Sequence, residues 1–364
     1  MKILITGNMG YVGPGVVSQL RDTYPQAELI GFDTGYFAQC LTNPSFLPEI
    51  KLDRQIFGDV RDFNEALLDD VDVIVYLAAI SNDPMGNKFE KVTMDVNNKA
   101  AVRMARIGKE KGVRSFVYAS SCSVYGAAGD EAKRENDTLN PLTAYARSKV
   151  TTETDLEPLA GKDFTVTCLR FATACGFSNR LRLDLVLNDF IAGAVTSKRI
   201  DILSDGTPLR PLINVLDMAR AIDWAVSRSK ESGGNFLIVN TGSNVWNYQV
   251  KELAEAVAEV IEGCQVTVNA DAPPDKRSYK VNFDLFKKLA PNHQPVHDLK
   301  STIESLFNNL KMMEFSDSNF RESDLIRLKV LSSLVQSNLL DEDLYWKWNN
   351  KPVLKLEYDI QKQN

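Results

Sequence analysis

Tyr145 and Lys149 stand four residues apart in Tyr145-Ala146-Arg147-Ser148-Lys149, and on a helix that spacing puts both side chains on one face. A free phenol titrates near ~10 and is a poor base at neutral pH. A neighbouring ammonium favours the phenolate, so the spacing predicts that Lys149 draws the Tyr145 pKa down towards a useful range. Upstream, Ser120-Ser121-Cys122-Ser123-Val124-Tyr125-Gly126 follows a strand pattern, and the Ser121 hydroxyl there can bond and position a substrate oxygen. A Tyr and a Lys at this spacing are, taken alone, more often a solvated helix face. Together with the serine strand end they point to proton transfer at a hydroxyl carbon that is oxidised or reduced.

The chain start supplies the partner such chemistry needs. An apolar strand pattern runs into Gly7-Asn8-Met9-Gly10-Tyr11-Val12-Gly13 and then a helical stretch. Glycines at Gly7, Gly10 and Gly13 let the chain turn sharply, so that backbone N–H groups approach a pyrophosphate at the helix N-terminus. Pro14 fits there because first-turn N–H groups lack intrahelical partners. Asp33 ends the next strand pattern, where a carboxylate accepts from ribose hydroxyls and repels a 2′-phosphate. NAD is therefore expected over NADP.

These groups must be held by alternating elements. Ile3–Ile5, Leu29–Phe32, Gln55–Phe57, Val73–Leu77, Phe116–Ala119 and Thr165–Leu169 read as short buried strands, with amphipathic stretches such as Asn98–Lys111 between them. That alternation predicts an α/β fold, a Rossmann-like doubly wound parallel sheet. Beyond about residue 175 the alternation fails. Pro208–Pro211 and Ala272–Asp275 suggest loops in a smaller α/β lobe, and helical patterns return at Val250–Ile261 and Asp324–Leu340. The expected organisation is an NAD-binding domain over 1–175, with part of 210–250 returning to it. A substrate lobe over 176–310 and a helical extension over 311–364 follow.

Composition narrows the classes. A formal charge of -6 argues against a nucleic-acid binder. Five scattered cysteines without a CxxC pair read as reduced thiols. The only histidines, His293 and His297, rule out a multi-histidine metal site, so no metal is expected. The chain opens directly on a strand pattern, and its longest apolar run is too short to span a bilayer. A cytoplasmic protein without membrane contact is expected.

Gly7/Gly10/Gly13, Asp33, Asp59-Val60, Leu77-Ala78-Ala79, Asn97, SSCSVYG and YARSK together resemble the extended short-chain dehydrogenase/reductases that act on nucleotide sugars. The resemblance covers residues 1–300 or so. It implies NAD as cofactor, with Gly7, Gly10, Tyr11, Val12, Gly13 and Asp33 holding it and Asp59 and Val60 beside the adenine. Leu77, Ala78 and Ala79 would line the nicotinamide side, Tyr145 and Lys149 would also touch the cofactor, and Asn97 would lie near the active-site helix. The segments Gly206–Asp217 and Asp275–Tyr279 are similar to those whose arginines bind a substrate diphosphate, which points to Arg210 and Arg277. A guanidinium donates in pairs and suits phosphate oxygens. Homodimers acting on nucleotide-diphosphate sugars are implied.

Departures from the family pattern choose among its reactions. The 4,6-dehydratases commonly carry an acidic pair after the serine or threonine, where this chain has Cys122 and Ser123, so dehydration is demoted. Thr173 stands where an asparagine is usual. Arg180–Asn188 is a candidate wall of the nucleotide pocket, with Asn188 as a weaker contact. Ser81, in Ser81–Gly86, either faces the sugar or sits in a plain loop. The expected activity is an epimerase that oxidises and re-reduces a sugar hydroxyl carbon, at C4, with Ser121, Tyr145 and Lys149 as its catalytic set. An NAD(P)H-dependent 4-ketosugar reductase is the alternative, and a non-catalytic NAD-binding protein ranks below both. The apolar stripe Leu325, Leu328, Leu331, Leu334 and Val335 is expected to pack a terminal helix.

Overall fold

Short apolar runs become strands because they can be buried on both faces between helices. The computed structural model describes every position except 43, 44, 130, 270, 271, 273–277 and 348–364. The chain begins with β1 (Lys2–Thr6), α1 (Gly13–Thr23), β2 (Glu28–Asp33), β3 (Arg54–Phe57) and β4 (Val73–Tyr76). A helical run follows, α2 (Asp83–Lys88), α3 (Glu90–Met94), a π-helical turn over Asp95–Ala100 and α4 (Ala101–Glu110). After it come β5 (Ser115–Ser121), α5 (Ala144–Leu156) and β6 (Thr165–Phe171). The helical pattern expected from Asn98 thus starts earlier, and it carries a wide turn where Asn97 reaches inward.

The second half brings β7 (Thr173–Cys175), α6 (Val186–Ser197), β8 (Arg199–Ile202), β9 (Leu209–Asn214) and α7 (Val215–Ser227). It continues with β10 (Phe236–Thr241), β11 (Asn247–Gln249), α8 (Val250–Val260), β12 (Gln265–Val268) and α9 (Asp284–Leu289). Two further helices follow among the described residues, α10 (Leu299–Met312) and α11 (Arg327–Gln336). Pro208–Pro211 is no loop: Leu209 to Pro211 open β9, whose Leu212 and Ile213 are buried. Of Ala272–Asp275 only Ala272 lies among the described residues. α11 is shorter than the Asp324–Leu340 pattern, because Asn338 turns to φ 59° and ends the helical path.

Among the described residues seven parallel strands form the main sheet, in the order β10-β6-β5-β4-β1-β2-β3. The parallel pairing of β10 with β6 returns the chain from the second half to this sheet. A three-stranded sheet β11-β9-β7 and a two-stranded pair β12-β8 build the smaller α/β region. Strand order reverses between β1 and β4, and the crevice at the carboxyl ends of such a switch point is where doubly wound sheets bind ligands. No described helix is long and apolar enough to cross a membrane.

Candidate active site

At the carboxyl ends of β1, β2, β4 and β5 lies one cavity of about 1020 Å³, and both chemical motifs open into it. Gly7 sits at φ 72°, and a Cβ there would fall 2.5 Å from the Ala78 nitrogen, so only glycine lets the exits of β1 and β4 approach. Gly7, Gly10, Tyr11 and Val12 line the cavity. Gly13 does not. A Cβ there would lie 1.9 Å from the Asn8 carbonyl oxygen, so it closes the turn against α1 instead of facing a ligand.

Asp33 also faces the cavity, and its carboxylate accepts from the N–H of Met9 at 3.0 Å and of Gly35 at 2.8 Å. Burial raises its pKa, against the pull of those two bonds. Asp59 and Val60 line the same end, with the Asp59 carboxylate bound to Arg61 at 2.6 Å. Leu77, Ala78 and Ala79 form the wall past β4.

α5 starts cleanly because Thr143 caps it, its hydroxyl accepting from the Ala146 N–H and donating to Asp83. That fixes the phase of the helix, and Tyr145, Lys149 and the strand-end Ser121 meet in the cavity. The Lys149 amine lies 5.5 Å from the Tyr145 ring centroid and donates to the Ala119 carbonyl at 2.7 Å. The expectation that Lys149 would lower the phenol pKa is corrected. Burial dominates and pushes Tyr145 up to about 12, with the Ser121 hydroxyl and Arg182 pulling the other way. Burial likewise takes Lys149 down to about 7, opposed by Glu153. Glu153 pairs with Arg170 at 2.7 Å, both side chains buried, and accepts from Ser120 at 2.6 Å.

Ser81, Thr173 and Arg210 also line the cavity. Asn97 and Asn188 do not join them. The Asn97 amide accepts from the Ile80 N–H and donates to the Ile80 carbonyl and Ser148 hydroxyl, so it ties the loop after β4 to α5. Asn188 is wholly buried, accepting from the Gly176 N–H and donating to the Arg182 carbonyl. Arg277 lies outside the described residues.

Arg182 and Asp184 were not singled out, although they fall within the Arg180–Asn188 stretch, and both line the cavity. Their ion pair is 2.6 Å long; Arg182 also donates to Ser81 at 2.9 Å, and Asn82 donates to Asp184 at 2.8 Å. Burial would lower the Arg182 pKa, and Asp184 outweighs it. The R-x-D spacing was the available signal. Arg321 and Arg327, from the extension, reach the cavity too. Nothing local in their sequence marks them.

The pattern of the NAD dependent epimerase/dehydratase family matches residues 3–242 of the chain. A protein of Bacillus subtilis described as an uncharacterized UDP-glucose epimerase, YtcB, is 29% identical over 235 residues, covering 61% of this chain and 71% of that one. A putative UDP-glucose 4-epimerase of Methanocaldococcus jannaschii is 26% identical over 320 residues, 85% of this chain and 98% of its own. The UDP-glucuronic acid 4-epimerase of Bacillus cereus, solved with UDP-glucuronic acid and NAD, shares the fold at a TM-score of 0.72 and 21% identity, covering 86% of this chain and 100% of that one.

Proposed function

The chain belongs to the NAD dependent epimerase/dehydratase family, and on that premise we propose that it is a nucleotide-sugar 4-epimerase. The observation that carries this reading is one cavity holding Tyr145, Ser121 and Lys149 together with the glycine turn and Arg210. Its volume of about 1020 Å³ suits a dinucleotide with a second ligand, at the upper end of ordinary ligand pockets.

The residues fit NAD. The turn at Gly7 leaves no room for a side chain, and Asp33 presents a carboxylate at the end of β2. NAD supplies a reversible hydride acceptor and, when oxidised, a positive charge that favours the Tyr145 phenolate. Tyr145 takes the proton of the sugar hydroxyl as that carbon is oxidised, and Ser121 donates a hydrogen bond to the same oxygen. The keto sugar turns over in the cavity, and Tyr145 returns the proton when the other face is reduced. Arg210 holds the diphosphate through both halves, so the intermediate is not lost.

The positions directly after the serine, where the 4,6-dehydratases commonly carry their acidic pair, hold Cys122 and Ser123 here, which disfavours dehydration. The Cys122 thiol is buried and donates to the Arg170 carbonyl at 3.0 Å, and no carboxylic acid follows Ser121. The test is mass spectrometry of ligands released from purified, denatured protein. Retained NAD, with a nucleotide sugar beside it, supports the epimerase. Protein that carries no NAD and consumes added NADH or NADPH one-for-one with product is a reductase instead.

A further inference from the structure

The family pattern ends at residue 242, yet Asp343–Trp346, far beyond it, packs at the strand ends around Asp33 and Asp59. Hydrogen bonds and ring contacts bring it there. The Tyr36 hydroxyl donates to the Leu344 carbonyl, and the Trp346 indole N–H donates to the Thr34 carbonyl at 2.8 Å. The Arg61 guanidinium donates to the Asp343 carbonyl at 2.6 Å and lies 3.6 Å from the centroid of the Tyr345 ring. Trp346 and Tyr36 pack with ring centroids 5.8 Å apart. Leu344 is fully buried against the sheet core, so the strap is seated rather than draped over the surface.

Its position decides what it does. Tyr345 and Trp346 wall a second cavity of about 500 Å³, whose inner lining includes Thr34, Gly58 and Asp59. Those three residues line the large cavity as well. In a doubly wound sheet the ends of the second and third strands flank the adenosine half of a dinucleotide, with the acidic group after the second strand on its ribose. The Asp59 carboxylate meets Arg61, and Arg61 meets the strap, so the inner and outer walls are joined through one guanidinium.

We propose that Asp343–Trp346 is the outer wall of the adenosine site, and that its docking governs how long the chain keeps NAD. The Arg61 clamp positions the wall and is not itself a catalytic group. The proposal requires cofactor binding but no particular reaction, so it stands apart from the epimerase reading.

The test is calorimetric and kinetic, on the full chain. Tyr345→Ala with Trp346→Ala should weaken NAD on the order of tenfold, the scale of one or two lost hydrogen bonds and an aromatic contact, mostly through faster release. ADP-ribose should weaken by the same factor, and nicotinamide mononucleotide should be unaffected. Trp346→Phe, which keeps a ring and removes the indole N–H, should fall between parent and double variant, and it carries the test should the double variant fail to fold. Unfolding of the apoprotein reports folding independently. A folded variant that binds and releases NAD as the parent does overturns the proposal, as does equal weakening of ADP-ribose and nicotinamide mononucleotide. A parent chain without affinity for ADP-ribose would overturn the cofactor reading itself.

Discussion

Lys149 sits one helical turn from Tyr145 with its amine 5.5 Å from the phenol ring, yet its hydrogen bond goes to the Ala119 carbonyl. The pair is therefore poised rather than ionised by the chain's own groups. Burial raises the phenol to about 12 and lowers the amine to about 7. On the proposed reading, the charge that favours the phenolate arrives with the oxidised cofactor.

A consequence for stability follows from the sign of the Lys149 shift. With a folded pKa of about 7, below the ordinary lysine value, the unfolded chain binds more protons above that pH. Stability contributed at this site rises as pH climbs from about 7 towards the usual lysine range. Between pH ~7 and ~9 the gain should be on the order of 2 kcal/mol, and Lys149→Met should abolish it. Urea unfolding of both proteins at the two pH values reads the difference; parallel pH slopes would show that the amine is not held neutral.

Tyr145→Phe keeps the ring and its packing while removing the proton carrier. Turnover should fall by about 10²–10⁴-fold, the usual contribution of a general acid–base group, with NAD retained. Steady-state rates and released cofactor are measured on the same preparation. A variant with parental turnover places the proton transfer elsewhere.

What was legible in the sequence was what local spacing encodes. Gly7, Gly10, Tyr11, Val12, Asp33 and the Tyr145/Lys149 pair meet in the cavity because strand–turn–helix geometry and a four-residue helical step are set within a few residues. Gly13 was read as a ligand contact, but a glycine that closes a turn and one that faces a phosphate look alike in sequence. Asn97 lies beside the active-site helix as expected, bonded to Ser148 of α5, whereas Asn188 is turned inward: a carboxamide satisfied by buried backbone cannot be told by type from one awaiting a ligand. Arg182 reaches Ser81 from 101 residues away, and Trp346 reaches Thr34 from 312 away. Such approaches are made by tertiary packing, and no periodicity carries them.

Arg210 lines the cavity at the start of β9. Arg210→Ala should raise the KM for a nucleotide-diphosphate sugar, costing about 1.5–3 kcal/mol for a lost charged hydrogen bond. Its NAD affinity should match the parent's. Titration with UDP and with NAD separates the two, and unaltered UDP binding would remove the arginine from the diphosphate site.

Asp33 should enforce the choice of cofactor. Asp33→Asn keeps an acceptor for the turn but removes the charge that repels a 2′-phosphate, so the NAD-over-NADP preference should shrink by roughly ten- to hundredfold. Because burial raises the Asp33 pKa, NAD affinity of the parent should weaken on acidification before an ordinary aspartate would titrate. Calorimetry at several pH values checks both, and an undiminished preference in the variant would assign selectivity to another group.

The redox-neutral cycle is tested most directly by following the hydrogen on carbon. The NAD-loaded protein, with no added reductant, is mixed with a panel of nucleotide hexoses deuterated at C4, and products are read by NMR and mass spectrometry. The account predicts that a member of the panel yields its 4-epimer with the deuterium still on C4, while reduced cofactor does not accumulate. Turnover that requires stoichiometric NADH or NADPH, or product whose C4 deuterium has been lost, would contradict it.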